Sequence, residues 1–368
     1  MNVLIIGNGG RENALAWKVK NSPLLTNLFI SPGNAGTDQL GKNIDIDISQ
    51  KTEILKFVKS NKIDLTLVGP EAPLEDGIVD LFVSEKNKAM TTGITLVALV
   101  ITLFSIVGLY DTEPRSLFSG LIALDNFALY FKGLFVVTTI VVILFGLQST
   151  DIESDRIGEF YSVFLSIVLG GFLMASASNL LMMYLALELV SLPSFILAGY
   201  QKHIKRSNEA ALKYVVYGGV SSGIMLYGFS LIYGLTGTLD IYAIANQLGS
   251  TTPLSITLFL GAAMAMAGFG YKVASVPFHF WCPDVYEGAP TPVTAFLSVA
   301  PKAAGFAMIA RFFYVGLSAY DGETGTVLGG DWPFLLAVIS ACTMTLGNLT
   351  AIWQNNLKRL LAYSSIAH

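Results

Sequence analysis

Four charged residues interrupt the most apolar stretches of the chain and are the first candidates for chemistry. They are one carboxylate and three amines: Glu188, Lys213, Lys272 and Lys302. A charge in the middle of a membrane helix costs about 2.5–3.5 kcal/mol on insertion scales, so each group needs a partner or water. A carboxylate and amines that change their pairing can hand on a proton, and we therefore predict a proton relay. The alternative is a set of static ion pairs that only orients helices.

A further candidate lies beside a proline in the apolar stretch that contains Lys272. Pro277 removes a backbone hydrogen bond and opens the helix. Open helices are tolerated in membranes where they line water or protein, so the sequence predicts a broken helix here. His279 is either a proton carrier at this break or a hydrogen-bonded structural histidine. The sequence favours neither role.

Glycines near the N-terminus form another group of candidates. Residues 3–6 are a short apolar run typical of a buried parallel strand. Gly7, Gly9 and Gly10 follow this run and precede a helical stretch that begins with Arg11. Backbone N–H groups at such a turn can bind an anion at the helix N-terminus. A tight strand-to-helix turn without any ligand explains the glycines equally well.

Composition divides the elements that position these residues into two parts. Of the first 88 residues 21 are charged, as in a soluble protein, whereas only 27 of the remaining 280 are. We therefore predict a chimeric chain, with a small α/β Rossmann-like domain at residues 1–88 and an all-α polytopic membrane bundle at residues 89–368. Eight spans are expected near residues 91–110, 124–147, 159–177, 180–199, 209–234, 255–281, 291–316 and 333–353. A ninth span is expected to begin at Leu357.

Charge and metal-binding residue types exclude several functions. The net charge of −4 gives no electrostatic reason to bind nucleic acid. Two cysteines and three scattered histidines argue against a disulfide scaffold and against a metal site.

Basic residues also predict the orientation in the membrane, because cytoplasmic loops carry the excess of Lys and Arg. They concentrate in alternate loops and before the first span: Lys86, Lys88, Arg156, Lys202, Lys205, Arg206, Lys358 and Arg359. This distribution predicts a multi-pass protein of the inner (plasma) membrane with a cytoplasmic N-terminal domain. Arg311 is expected only to anchor the outer end of its span.

Three loop motifs stand out in the N-terminal part: residues 7–12 (GNGGRE), 31–37 (SPGNAGT) and 68–74 (VGPEAPL). Together they resemble the N-terminal, pre-ATP-grasp domain of phosphoribosylamine–glycine ligase, over about residues 1–85. The resemblance implies loops that bind phosphoribosylamine through Gly7, Gly9, Gly10, Arg11, Gly33, Asn34, Gly69, Pro70 and Glu71. Asn13 stands where that family usually has histidine. Nothing after residue 88 resembles the family's ATP- and magnesium-binding region, so the full ligase reaction is not expected.

Three motifs of the membrane part carry a second resemblance: residues 188–193 (ELVSLP), 272–292 (which contain VPFHFWCPDVYEGAPTP) and 356–368 (NLKRLLAYSSIAH). They resemble NADH-quinone oxidoreductase subunit N, an antiporter-like, proton-pumping membrane subunit of respiratory complex I. The resemblance implies an ion pair between Glu188 and Lys272, a central relay lysine at Lys302, and a further family lysine at Lys213. It also implies that the family's first helix and second broken helix are absent here.

The second resemblance covers three quarters of the chain and decides the expected function. We expect a membrane subunit that relays protons while the whole complex passes electrons from NADH to quinone. Such a subunit binds no flavin, iron–sulfur centre or NADH itself, and its partners are other complex I membrane subunits and the lipid bilayer. The alternatives are a ligase fragment of purine biosynthesis and an artefactual fusion of the two parts.

Overall fold

The computed structural model describes residues 1–368 except 111, 148, 150, 153–155, 251–255, 318, 321–326 and 329–331. The side chains of residues 83–87, 249–250, 319–320 and 327–328 are also left undescribed. The chain divides into two compact units, Met1–Met90 and Thr91–His368. A long helix, α4, runs through the boundary from Ile78 to Gly108.

The first unit is built on a parallel sheet. Its strands are β1 (Asn2–Gly7), β2 (Asn27–Pro32), β3 (Lys42–Asn43) and β4 (Leu65–Val68), in the order β3-β2-β1-β4. Helices α1 (Gly10–Lys20) and α2 (Lys51–Ser60) and a 3₁₀ turn at Thr37–Gln39 join the strands, and α3 (Ala72–Glu75) follows β4. This is the small α/β arrangement expected from the sequence.

Strand β1 is buried on both faces, which explains its unbroken apolar run. Successive side chains of a strand point to opposite faces. Val3 and Ile5 accordingly pack with Ala16 of α1, whereas Leu4 and Ile6 pack with Ile54 of α2. The two small cores on either side of the sheet hold the carboxyl ends of the strands, and the loops that follow them, at one edge.

The second unit contains long apolar helices, most of them close to the expected spans. They are the second part of α4, α5 (Asn126–Gly146), α6 (Ile157–Ser176), α7 (Leu180–Ala198), α8 (Lys205–Thr236), α10 (Ile256–Val273), α12 (Thr291–Ala310) and α13 (Trp332–Ile352). With α12 extended to Gly316 by a π-helical turn, all eight are long and apolar enough to cross a membrane. Shorter elements in this unit are α9 (Ile241–Ser250), α11 (Trp281–Gly288), α14 (Leu357–Ala367) and the strand pairs β5 (Arg115–Leu117) with β6 (Ile122–Leu124) and β7 (Ala319–Tyr320) with β8 (Val327–Leu328).

One expected span differs from the observed elements. The sequence predicts a single span at residues 255–281, but α10 ends at Val273 and α11 begins only at Trp281. Ala274 has a φ of +60°, which an α-helix cannot accommodate. The helical conformation of α10 therefore ends before Pro277 is reached, and residues 274–280 form a non-helical connection to α11.

Small residues allow close packing where the helices of the second unit approach most tightly. A Cβ atom on Gly228 of α8 would lie 2.6 Å from the carbonyl oxygen of Gly261 of α10. A Cβ on Gly261 would in turn lie 3.0 Å from the carbonyl oxygen of Gly228. Such glycine contacts let two membrane helices approach backbone to backbone. This contact fixes α10, which carries Lys272, against α8.

Candidate functional site

Lys272 lies in the last turn of α10 and is almost completely buried, with 1% of its surface exposed. Its Nζ donates a hydrogen bond to Oγ of Ser191 on α7 over 3.1 Å. The Ser191 hydroxyl donates in turn to the carbonyl oxygen of Leu187 over 2.7 Å. The Ser191 hydroxyl thus gives the buried amine one hydrogen-bond acceptor that carries no opposite charge.

Glu188 lies one turn before Ser191 on α7 and within electrostatic reach of Lys272. Within the described part of the chain, however, the two side chains form no ion pair of 4.0 Å or less. The resemblance implied such a pair, and the structure places Ser191 beside the amine instead. The carboxylate and the amine therefore influence each other electrostatically without a direct hydrogen bond between them.

The connection between α10 and α11 is held by hydrogen bonds to its backbone. The amide of Val276 donates to Oγ1 of Thr343 on α13 over 3.0 Å. Nε1 of Trp281 donates to the carbonyl oxygen of Tyr271 over 2.9 Å. His279 lies in this connection and is 4% exposed, and in the described structure its Nδ1 has no hydrogen-bond partner. The role of His279, as a proton carrier or as a structural histidine, stays a prediction.

Lys302 lies in the middle of α12 and is 7% exposed. Its Nζ donates to the carbonyl oxygen of Ser365 on α14 over 2.6 Å and to the Ser365 Oγ over 2.8 Å. The ring of Tyr286 on α11 lies 5.9 Å from the same amine. Like Lys272, this buried amine has a serine as its partner and no carboxylate within ion-pair distance in the structure as described.

Gly305 brings the two buried amines into one neighbourhood. It follows Lys302 by one turn of α12, and a Cβ on it would lie 3.4 Å from Cγ of Lys272 and 2.8 Å from Cγ1 of Val273. The absence of a side chain at position 305 therefore allows α12 to lie directly on the stem of Lys272. Two buried amines on adjacent helices, each bound to a hydroxyl, are the central feature of this unit.

Lys213 has a different environment from the other two lysines. Its Nζ lies 2.6 Å from Oε1 of Glu209 and 2.6 Å from Oδ2 of Asp284, and 37% of its side chain is exposed. Asp284 also pairs with Arg359. We call Arg206, Glu209, Lys213, Asp284, Glu287 and Arg359 the charge cluster; it joins the ends of α8, α11 and α14 around an open cavity of about 130 Å³.

The charge cluster holds Asp284 in its ionised form. Partial burial of Asp284 acts to raise its pKa, but hydrogen bonds from Lys213 and Arg359 outweigh burial, and the pKa of this carboxyl is lowered. Sequence reasoning missed Asp284 and Arg359 as partners, because 75 residues separate them along the chain.

Arg311 was expected only to anchor the outer end of its span, but the structure buries it. It is 3% exposed, and its Nη2 lies 2.6 Å from Oδ1 of Asp125, the N-cap residue of α5. Its Nε donates to the carbonyl oxygen of Ala175 over 2.6 Å, and its guanidinium lies 5.0 Å from the ring centre of Phe127. Arg311 thereby ties the end of α12 to α5 and α6.

The glycine loops of the first unit surround a buried carboxylate. Glu12 is 4% exposed, and its Oε2 accepts a hydrogen bond from the amide of Gly9 over 2.7 Å. A Cβ on Gly69 would lie 2.0 Å from Glu12 Oε1, and one on Gly7 would lie 2.6 Å from Glu12 Cγ. The space that the glycines leave is occupied by this side chain. The N–H of Gly9, which the sequence offered to an external anion, is already bound to the protein's own carboxylate.

The three loops nevertheless meet at one edge of the sheet, as expected. Nδ2 of Asn34 donates to the carbonyl oxygen of Asn8 over 2.7 Å, which joins the second loop to the first. Arg11 donates to the carbonyl oxygen of Gly69 over 3.0 Å and pairs with Glu71 over 3.1 Å, which joins the first loop to the third. Pro70 lies against Gly7, since a Cβ there would be 2.9 Å from the proline Cδ. Gly33 has a φ of +77°, as its turn requires, and Gly10 begins α1.

Among the residues that the structure describes, no group of three or more His, Cys, Asp or Glu side chains is placed to hold a metal ion.

The buried amines and the apolar helices define the second unit as part of an antiporter-type membrane protein, and family comparison agrees. Residues 177–368 match the family described as NADH:quinone oxidoreductase/Mrp antiporter, TM. The chain belongs to this family. Residues 1–98 match the family described as phosphoribosylglycinamide synthetase, N domain. Both resemblances noted in the sequence are thereby confirmed.

Two curated relatives are similar to most of this chain. NADH-quinone oxidoreductase subunit N 2 of Chloroherpeton thalassium is 50% identical over 293 residues, covering 79% of this chain and 57% of that protein. NADH-quinone oxidoreductase subunit N of Anaeromyxobacter sp. is 48% identical over 333 residues, covering 85% of this chain and 64% of that protein. The chain thus spans about 60% of the length of these curated relatives.

Solved structures share the fold. A chain of respiratory complex I from Thermus thermophilus with bound aureothin is 34% identical with a TM-score of 0.63, covering 76% of this chain and 57% of that chain. A chain of the membrane-bound sulfane sulfur reductase, an archaeal respiratory membrane complex, is 27% identical with a TM-score of 0.66, over the same shares. A chain of the Mrp complex from Dietzia sp. is 20% identical with a TM-score of 0.63, covering 80% of this chain and 55% of that chain, and shows likeness of fold alone.

Proposed function

We propose that this chain acts as a membrane subunit of a proton-translocating NADH–quinone oxidoreductase and relays protons through Glu188, Lys272 and Lys302. The observation that carries the proposal is the pair of buried amines on α10 and α12, each bound to a serine hydroxyl. A buried amine that forms no ion pair can gain or lose its proton at a modest cost in free energy, because no carboxylate bound to it holds the charged form. A relay residue needs this property.

The geometry suggests how the relay works. Lys272 and Glu188 are neighbours without a direct bond. A small movement of α10 against α7 would replace the Ser191 contact by an ion pair and would favour the protonated amine. We treat α10 and α11 as the two halves of one broken helix, since residues 274–280 between them are non-helical. Such a break is where a membrane helix can bend.

Lys213 and His279 lie at the margins of this relay. Lys213 is bound to two carboxylates in the open charge cluster, where protons from water can enter. His279 lies in the break with a free Nδ1 among the described contacts, and its ring can carry a proton past the non-helical segment.

The rest of the function follows from the subunit role. The partners are other membrane subunits of the complex and the lipid bilayer, and the chain lies in the inner (plasma) membrane with the first unit in the cytoplasm. NADH and quinone are used by the whole complex, and this chain binds neither. The support is the match to proteins named NADH-quinone oxidoreductase subunit N and the basic residues of alternate loops.

A chimeric subunit tests the proposal. The matched residues of the Chloroherpeton thalassium subunit would be replaced by those of this chain, and acidification of inverted membrane vesicles on NADH addition would be measured. We expect acidification that is lost in Lys302→Met and retained in Lys205→Met, an exposed lysine at the start of α8. Acidification that survives Lys302→Met would sink the relay role.

The first unit supports a second candidate function, a remnant of phosphoribosylamine–glycine ligase in a chimeric chain. The specific observation is that three ligase-like loops meet at one sheet edge with Arg11 and Glu71 exposed on it. Calorimetric titration of the full chain in detergent with ribose 5-phosphate tests this function, with Arg11→Ala as the matched variant. Heat of binding that Arg11→Ala removes would support it, and no heat with the unaltered chain would refute it.

A further inference from the structure

We infer that Arg359 and Asp284 form a positioning clasp, which holds α14 against α11 so that Ser365 stays within hydrogen-bond distance of Lys302. The inference deepens the proposed function, since it rests on Lys302 as a relay amine. The juxtaposition that carries it is that the same two helices are tied together at the start of α14 and both lie beside the Lys302 amine.

The tie consists of several polar contacts at the start of α14. Arg359 pairs with Asp284 and, over 3.2 Å, with Oε2 of Glu287. Nδ2 of Asn356 donates to Oε1 of Glu287 over 3.1 Å, and Nζ of Lys358 donates to the carbonyl oxygen at the end of α11 over 2.9 Å. Three polar residues at the start of α14 thus bind α11 or the residue that follows it.

The same two helices also form the surroundings of the Lys302 amine. Ser365 of α14 accepts both of its hydrogen bonds, and Tyr286 of α11 places its ring 5.9 Å away. Six residues separate Arg359 from Ser365, which is about 9 Å along an α-helix. Over that length α14 behaves as a rigid rod. A clasp at its first turn therefore sets the position of Ser365 in its last.

A second set of contacts holds α14 without reaching Lys302. The last turn of α14 packs on α13, where a Cβ on Gly347 would lie 2.8 Å from the amide nitrogen of Ala367. If α14 were held by this contact alone, loss of Arg359 would leave the Ser365 bonds in place. The two anchors therefore make opposite predictions for the protection of Lys302.

Reductive methylation of amines distinguishes these predictions. The full chain, purified in detergent, would be treated with formaldehyde and cyanoborohydride, and methylation of Lys302 and Lys272 would be followed by mass spectrometry. Lys272 is the internal reference, because its partner Ser191 lies on α7 and not on α14. We expect Arg359→Ala to raise the ratio of Lys302 to Lys272 methylation about tenfold, as loss of a charge-assisted contact implies.

Two companion variants complete the experiment. Arg359→Lys keeps the positive charge and should restore most of the protection. Lys202→Ala removes an exposed lysine from the loop before α8 and should leave the ratio of Lys302 to Lys272 methylation unchanged. An unchanged ratio in Arg359→Ala, a parallel rise at both lysines, or no recovery in Arg359→Lys would each overturn the clasp. Since methylation reports the protection of an amine and not proton movement, failure of proton transport alone would count against the proposed function and not against the clasp.

Discussion

Lys272 and Lys302 differ from Lys213 in burial and in the chemistry of their partners. The first two are nearly inaccessible and donate to serine oxygens, whereas Lys213 is more than a third exposed and bound to two carboxylates. The same side chain is held by hydrogen bonds to uncharged oxygens in one place and by ion pairs with carboxylates in the other. The proposed relay therefore assigns the proton transfer to the two lysines whose partners leave the neutral amine accessible.

Arg311 provides a third case, a buried cation with a carboxylate partner. Because a guanidinium does not lose its proton, this pair is structural. Replacement by Ala leaves Asp125 with an unpaired charge and should destabilise the second unit by about 3–5 kcal/mol. The measurement is thermal unfolding of the purified chain in detergent, with exposed Arg156→Ala as the matched control. Equal melting temperatures for the two variants would contradict the buried pairing.

Gly305 sharpens the comparison by testing whether the two buried amines share one packed neighbourhood. A Cβ at this position would lie 2.8 Å from Val273, so Gly305→Val forces α12 away from α10. Overpacking of this kind costs about 1–3 kcal/mol. Gly219→Val is the control, since a Cβ there meets no atom within 4 Å. Unfolding in denaturant should separate the two variants, and equal stabilities would argue that α12 does not lie on Lys272.

Ser191 allows the partner chemistry itself to be broken. Ser191→Ala removes the acceptor of the Lys272 amine, and Ser191→Thr retains a hydroxyl. A hydrogen bond to a charged group contributes about 1.5–3 kcal/mol, so NADH-driven acidification in a chimeric subunit should fall at least tenfold in Ser191→Ala. Recovery in Ser191→Thr is expected. Equal acidification in all three proteins would show that the hydroxyl plays no part.

Asp284 gives the smallest expected effect and tests the other side of the comparison. Its pKa is lowered in the folded chain, so its ion pairs stabilise the fold above the unfolded pKa of about 4 and cease to do so as the pH falls through the lower, folded value. Asp284→Asn should therefore lower the melting temperature at pH 7 by an amount that corresponds to about 1 kcal/mol or less. The gap between the two proteins should narrow as the pH falls below about 4. A gap that stays the same size as the solution is acidified would contradict this charge assignment.

The parts of the structure that depend on local pattern could be predicted from the sequence. Eight spans follow from length and hydropathy, and the parallel sheet follows from the buried run in β1. The role of Glu12 could also be predicted, because a glutamate three residues after the N-cap can accept a hydrogen bond from the N-cap amide, as Glu12 does from Gly9.

The partners of the buried amines could not be predicted in the same way. Ser191 and Lys272 are 81 residues apart, and Lys302 and Ser365 are 63 residues apart. Serine is common in membrane helices, and nothing in its spacing marks it as the acceptor for a distant lysine. The resemblance to a known family suggested Glu188 as the partner of Lys272, because it carries over residue types and not the positions of side chains. Only the tertiary structure brings the Ser191 hydroxyl to the Lys272 amine.

Proton translocation by Lys272→Ala and Lys213→Ala, measured side by side in the chimeric subunit, tests the central claim most directly. The quantity is the number of protons moved per NADH oxidised in sealed inverted vesicles. Our account predicts that Lys272→Ala lowers this ratio to the level of a subunit that does not pump, while Lys213→Ala changes it by less than about threefold. Equal losses in the two variants, or full pumping without Lys272, would contradict the claim that the buried, hydroxyl-bound amines carry the proton.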